Sequence, residues 1–368
     1  MKEAILFIIF VISLGCAEER RDEAGCLHVP VPAQFQPLQA DSLFSAVDYI
    51  LLETNGNSLL TDIDKLDMTE DRIYILDRRQ GVLMQFDRDG KFISKLDRKG
   101  RGKGEYPRLD DFFIEDSLVY ILSSDIRKIL IYDKQFDFIA DFTIDSYATN
   151  MTCLKDTLFL FTNFSSPELT NFYAYHLREG KVLNRFHPFL EKQKGVGYTQ
   201  TTFAEYNNEI YGFLPFDFSI YKLSAAGTER IYRLDFGRQN SCPQGFKDFS
   251  DEERMDYCKR YSDFSEFPIQ SIDNLFIDDH LFFFTFVKGI FPYCYIRKGN
   301  KKWVGSFVPA KAFPVANNKV LWVDKNKFCT YEWAETFLRC KEKEEAFPFD
   351  CGQWNIDDNP VLCIYRFK

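Results

Sequence analysis

Histidine is scarce in this 368-residue chain, with only 4 copies. His28, His176, His187 and His280 stand far apart, and none sits in the paired spacing of a zinc-ligating helix. His176 falls inside a strand pattern, where a half-buried structural role is expected. No G-x-S-x-G elbow occurs and no Ser/His/Asp set can be assembled, so a serine-hydrolase reading has no residues to stand on. There is no C-x-x-C and no Cys/His cluster at zinc spacing, which argues against a structural zinc site. Positive charge is also in deficit: 46 Lys+Arg against 55 Asp+Glu leave a net charge of -9. An acidic surface repels phosphate backbones, so no nucleic-acid partner is expected. Beyond the first fifteen residues, no apolar run approaches the ~18 residues that a spanning helix requires.

Aromatic residues are abundant instead: 39 Phe, 19 Tyr and 4 Trp. Phe and Tyr favour pleated, half-buried surfaces, so the bias points to β structure. A short pattern recurs, a polar turn followed by an aromatic or aliphatic strand. It reads "DRIYILD", "SLVYILS", "DTLFLFT", "NEIYGFL", "HLFFFTF" and "KVLWVDK", centred on Tyr74, Tyr120, Phe159, Tyr211, Phe283 and Leu321. A second strand centred on an aromatic follows most copies, then a polar or Gly-containing turn and a third. A further candidate strand precedes each copy, as in "LDDFFIED" and "SIDNLFIDD". Four short antiparallel strands every ~40 residues predict propeller blades.

The sixth copy is incomplete. "YEWAETFLRCKEKEEAF" carries Trp333, Phe337 and Cys340 at helical spacing, before a last strand "PVLCIYRF". "VDYILLE", Val47–Glu53, is expected to supply the missing strand and close the ring. Ser250 three residues before Glu253 forms a capping box. It predicts a rim helix with Phe249, Met255, Cys258 and Tyr261 roughly on one face. The fold expected is all-β, a six-bladed propeller closed by an N-terminal strand with small helical insertions. A β-sandwich, or a seventh degenerate blade, is the alternative.

"YILLETNGNSLLTDIDKL", "FDRDGKFISKLDRKGRGKGEYP" and "ILIYDKQFDF" together resemble the six-bladed β-propeller lipoproteins of Bacteroidota, relatives of the NHL-repeat group. The resemblance implies the fold and an envelope address. Members are mostly of unknown function, some encoded near glycan-uptake systems. The N-terminus fits that address: Lys2 precedes an apolar run from Ala4 to Leu14, which as a helix would rise only about 16 Å. Gly15-Cys16 resembles a lipobox, and "AEER" after it resembles a surface-export signal; ordinary signal cleavage near Cys16 is the alternative. The expected organisation is a signal peptide over 1–15, acylated Cys16 with a tether over 16–40, and a propeller over 41–368. The outer membrane or cell surface is the expected location.

Ten cysteines are present. Cys153, Cys294, Cys329 and Cys363 lie in strand-like runs and read as core residues. Cys242 with Cys258, and Cys340 with Cys351, are close enough in sequence to pair in an oxidising compartment.

"GRGKGEYP", Gly100–Pro107, lacks the Ser/Thr of a phosphate-binding loop and places Glu105 where phosphate would be repelled. It reads as a bend between blades, with Arg101, Lys103 and Tyr106 as candidate rim contacts for an acidic or sugar-like ligand. Strand starts at the channel mouth carry oxygen ligands: Asp62, Asp64, Asp110, Asp111, Asn150, Asp273 and Asn274. Oxygen-rich sites suit calcium, with Asp62, Asp110 and Asp273 the candidate metal ligands, although strand-end acids are commonly structural. Tyr198, Tyr206, Phe216, Phe218, Phe291 and Tyr293 fall near predicted loops and offer rings for sugar stacking. Two functions follow. The first is a non-catalytic lipoprotein that binds a glycan, a peptide or a protein of an uptake complex. The second is a calcium-dependent hydrolase or lyase at the channel mouth.

Overall fold

Arg72–Asp77 has five consecutive buried residues, where a strand with one solvated face would alternate. Such a run needs a neighbour on each edge and a packed layer on each face. The computed structural model provides both. It describes residues 19–194, 201–238, 240–243, 245–261, 263, 266–308, 319–324, 326–342 and 355–368.

Six antiparallel sheets form the blades of a propeller. Blade I comprises Lys65–Met68, Arg72–Asp77, Val82–Asp87 and Phe92–Leu96. Blade II comprises Asp111–Glu115, Leu118–Ser123, Lys128–Asp133 and Phe138–Thr143. Blade III comprises Asn150–Leu154, Thr157–Phe161, Thr170–His176 and Lys181–Pro188. Blade IV comprises Phe203–Tyr206, Glu209–Leu214, Asp217–Leu223 and Thr228–Asp235. Blade V comprises Ile272–Ile277, Leu281–Lys288, Phe291–Lys298 and Lys301–Val308. Blade VI takes Val320–Asp324, Lys327–Glu332 and Val361–Phe367 from the C-terminal part of the chain, and Phe44–Leu51 from the N-terminal part. The closing strand pairs antiparallel with the last one, Val361 opposite Leu51 and Tyr365 opposite Val47.

Each blade packs face-on against the next, so the apolar interior is divided into six inter-blade cores. Between blades VI and I lie Ile73, Met84, Cys329 and Leu362; between I and II lie Leu76, Leu83, Phe112 and Ile121. Phe284 and Tyr295 stack in the core between blades IV and V, ring centroids 4.9 Å apart. Outer strands face solvent and alternate accordingly, as Lys181–Pro188 does.

Four expectations need correction. Leu321 belongs to the innermost strand of blade VI; the second strand is Lys327–Glu332, "KFCTYE", whose polar ends hid it. The expected tether over 16–40 is, from residue 20, part of the structure. Arg20–Arg21 pairs with Leu27–Pro30, which adds in parallel to the outer strand of blade IV. Gln36–Gln39 adds in parallel to the outer strand of blade V. These strands cover edges that would otherwise expose unpaired backbone groups. The rim helix forms at Asp251–Cys258 with the expected cap, Glu253 N–H donating to Ser250 Oγ at 3.2 Å. Phe249 and Tyr261 do pack, on Phe246 and Phe267, but the buried residue of the helix is Arg254, whose guanidinium lies 3.9 Å from the Phe216 ring centroid, while Met255 is exposed. Finally, Cys242 and Cys258 are unbonded; Cys153, Cys294, Cys329 and Cys363 are buried free thiols, as expected. The second expected pair involves Cys351 and the Cys340 side chain, which lie outside the described residues, as does Cys16.

Helix Ala334–Glu342 follows the spacing read from the sequence and buries Phe337 edge-on against Tyr49, centroids 5.9 Å apart.

Candidate functional site

The innermost strands of all six blades surround a central cavity of about 1020 Å³. Alternation along a strand sends every second side chain inward, so each blade contributes a few groups at fixed depths. At the N-terminal ends of the inner strands these groups tie blades together. Lys65 Nζ of blade I donates to Asp111 Oδ1 of blade II at 2.8 Å and to the Phe112 carbonyl at 2.6 Å. The other Asp111 oxygen accepts the Met151 N–H of blade III at 2.8 Å. Asp111 thus holds three blades, with its side chain only 1% exposed. Asp273 of blade V accepts the Thr201 N–H at 2.8 Å, and Thr201 Oγ1 accepts the Asn274 N–H at 2.7 Å. Asp62 joins blades VI and I, accepting Lys319 Nζ at 3.1 Å and the Tyr331 hydroxyl at 2.9 Å. Partial burial pushes its carboxyl up, but these two bonds outweigh it and hold the group below its ordinary range.

Asp110 is occupied elsewhere. It accepts the Ser124 N–H at 2.8 Å and Arg108 Nε at 2.6 Å, and burial raises its pKa despite both. Asp62, Asp110 and Asp273 are therefore spent on separate joints, and among the described residues they do not gather into one carboxylate group. Asp64 bonds the Arg78 N–H at 2.8 Å. Of the candidate binding residues read from the sequence, Asp111, Asn150 and Tyr206 line the cavity.

The Gly100–Pro107 segment is a bend. Gly104 has φ +67°, and a Cβ there would meet the Phe138 ring at 2.6 Å. Glu105 accepts the Gly102 N–H at 2.8 Å. Tyr106 is not a rim residue: it is fully buried and donates to the Leu96 carbonyl at 3.0 Å. Arg101 and Lys103 are exposed on the bend, away from the cavity lining. Phe216 lies under Arg254, Phe218 packs on Phe236 and Tyr293 on Phe35, so these rings are structural. Phe291 is exposed at a blade V turn; Tyr198 lies outside the described residues.

Towards the C-terminal ends of the inner strands lies a set of carboxylates that sequence reasoning missed. Asp67, Glu115 and Glu205 come from the later positions of the inner strands of blades I, II and IV, with Cys153 from blade III. Burial raises the Asp67 carboxyl, with Lys65 opposing and Asp111 adding to the rise. Glu205 is raised first by the crowding of the wall and then by repulsion from Glu115 and Asp67. Glu115 Oε2 is enclosed, and among the described residues it has no hydrogen-bond partner. The Cys153 thiol is pushed far up by burial and by Glu115 beside it, so it is held protonated and unreactive. Half-buried rings complete the wall: Phe203, Tyr206, Phe276 and Trp322. No histidine is among the described lining residues. The available signal was a carboxylate late in "KLDM", "FFIE" and "FAEY", once these were recognised as inner strands.

Residues 28–366 match the family described as a domain of unknown function, DUF4934. The chain belongs to the DUF4934 family. No curated protein matches it. Among solved structures, a protein from Bacteroides fragilis named "Putative exported protein" is similar, with 17% identity and a TM-score of 0.74. That alignment covers 93% of this chain and 99% of the other, and shows that this DUF4934 chain shares its fold. A DUF4221 member from Bacteroides vulgatus aligns over 89% of this chain and 97% of its own, at 11% identity and a TM-score of 0.49.

Proposed function

We propose that this protein is a lipid-anchored, non-catalytic envelope propeller that binds a glycan in its central channel. The observation that carries the reading is the channel wall, where half-buried rings stand among carboxylates and amides in a cavity of about 1020 Å³. Sugars present apolar C–H faces and polar rims, so rings beside hydrogen-bonding side chains suit them. A calcium-dependent hydrolase or lyase is less well supported, because Asp62, Asp110 and Asp273 are committed to separate joints. The similar Bacteroides protein is named as exported, which agrees with an envelope address.

The anchor has a geometric consequence. Glu19 is ion-paired to Arg297 and Lys302 of blade V at 2.6 and 2.9 Å. Three Cα steps, at most about 11 Å, then separate it from Cys16. Acylation of Cys16 would seat the propeller against the bilayer, with no long stalk.

The test is a calorimetric screen of neutral and charged oligosaccharides against the wild type, Trp322→Ala and Glu205→Gln. Losing one stacking ring is expected to weaken a hit about tenfold. Glycan affinities unchanged in both variants, or no glycan hit beside a peptide hit, would overturn the assignment.

A further inference from the structure

The N-terminal hairpin holds a cluster unconnected with the channel. Asp22, Cys26 and His28 bring one carboxylate oxygen, one thiol and one ring nitrogen within 4.8 Å of each other. Local geometry fixes each of them. Asp22 Oδ1 accepts the N–H groups of Ala24 and Cys26, both at 3.0 Å, and so closes the turn. That leaves Oδ2 facing His28 Nε2 at 3.4 Å. Cys26 immediately precedes the strand Leu27–Pro30, which carries His28 and lies between Arg20–Arg21 and the outer strand of blade IV. His28 lies opposite Arg20 and beside Arg233 of blade IV, so its backbone is held from both sides.

We propose that Asp22, Cys26 and His28 form a binding site for a zinc-class divalent metal. A tetrahedral zinc with N and O ligands at about 2.0–2.1 Å places those ligands roughly 3.4 Å apart, the separation already present between His28 and Asp22. The thiol needs to close by at most about 1.3 Å to reach its own longer bond. Mixed S/N/O donors select zinc over calcium or magnesium, which take oxygen ligands. Cys26 is 1% exposed, whereas the His28 and Asp22 side chains are 44% and 30% exposed. The metal would be walled in on one side, with a fourth position open to water. Binding displaces the Cys26 thiol proton to solvent and converts the thiol to a zinc thiolate, with no change of oxidation state. Arg230, 3.8 Å from Asp22 Oδ2, is the competing cation and has room to swing away, being 41% exposed. A metal here would join the turn to the strand that caps blade IV, close to the proposed membrane anchor.

The experiment uses the full chain, stripped with chelator and titrated with zinc and with cobalt. One equivalent of zinc should bind, with proton release, a melting temperature raised by a few degrees and a thiolate-to-cobalt charge-transfer band. Cys26→Ser and His28→Gln should each abolish the stoichiometric binding. His28 is half exposed, so that variant keeps its fold even if Cys26→Ser does not. Arg230→Ala should bind as tightly or more tightly. The double variant Cys242→Ser/Cys258→Ser should bind normally. Absence of 1:1 binding, its survival in His28→Gln, or its loss in the double variant would each overturn the site.

Discussion

Glu332 shows how one buried side chain can set a pH dependence. It ends the second strand of blade VI, where burial raises its carboxyl from 4.5 to about 7 despite a hydrogen bond from Thr336. The folded state therefore holds the proton more tightly than the unfolded chain. Stability is greatest below the unfolded value and falls as pH rises from about 4.5 through about 7, by about 3 kcal/mol in total. Glu332→Gln should melt higher than the wild type at pH 8, match it near pH 4.5, and lose most of that slope. Melting curves across that range check it, and an unchanged slope would assign the titration to another group. Other single residues were readable from the sequence alone. Ser250 and Glu253 announced their cap because a capping box is a local motif. Arg254 was not readable as a buried residue. Its partners Phe216 and Phe246 come from a blade IV turn and the following insertion, and burial lowers its pKa to about 10.

At the scale of elements, the N-terminal segment is the feature that most shapes the molecule. In order along the chain it caps the edge of blade IV, the edge of blade V, and then becomes the outer strand of blade VI. Its first strands have two to four residues, shorter than the window in which hydrophobic periodicity can be read. Gly305 makes the second contact possible. It lies opposite Gln36, and a Cβ at position 305 would fall 1.6 Å from the Gln36 carbonyl oxygen. Gly305→Ala should expel Gln36–Gln39 from blade V while blade V itself stays folded. Hydrogen exchange should then rise at residues 36–39 and 305–308, with a loss of about 1–3 kcal/mol in stability. Protection that persists there would show that the backbones can separate without losing the pairing.

On the scale of the whole molecule, closure of the ring creates both the six cores and the channel. No blade buries its faces alone, so stability is shared around the ring through joints such as Lys65–Asp111–Met151 and Asp62–Tyr331. The proposed envelope address is a separate property and rests on residue 16. In cells, Cys16→Ser should move the protein from the membrane to the soluble fraction with an unchanged melting temperature. Retention of that variant on membranes would refute acylation as the anchor.

Blade number, the closing strand and the rim helix were written in the sequence, because they rest on a strand pattern repeated about every 40 residues, on the strand that its last copy lacks, and on a local capping box. The aromatic second strands around Tyr74, Tyr120, Phe159, Tyr211 and Phe283 needed only period and turn chemistry to be found. The roles of the strand-end acids needed the ring. Asp111 reads as a ligand in "LDDFFIE" and becomes a clamp only when Lys65 and Met151 arrive from neighbouring blades. Asp67, Glu115 and Glu205 stand far apart in the chain and face one cavity only because six inner strands converge on a common axis. Asp22, Cys26 and His28 are close in sequence, yet it is the turn and its pairing with blade IV that point their donor atoms at one another. Local pattern determines the elements; convergence of distant strands decides which side chains share a site.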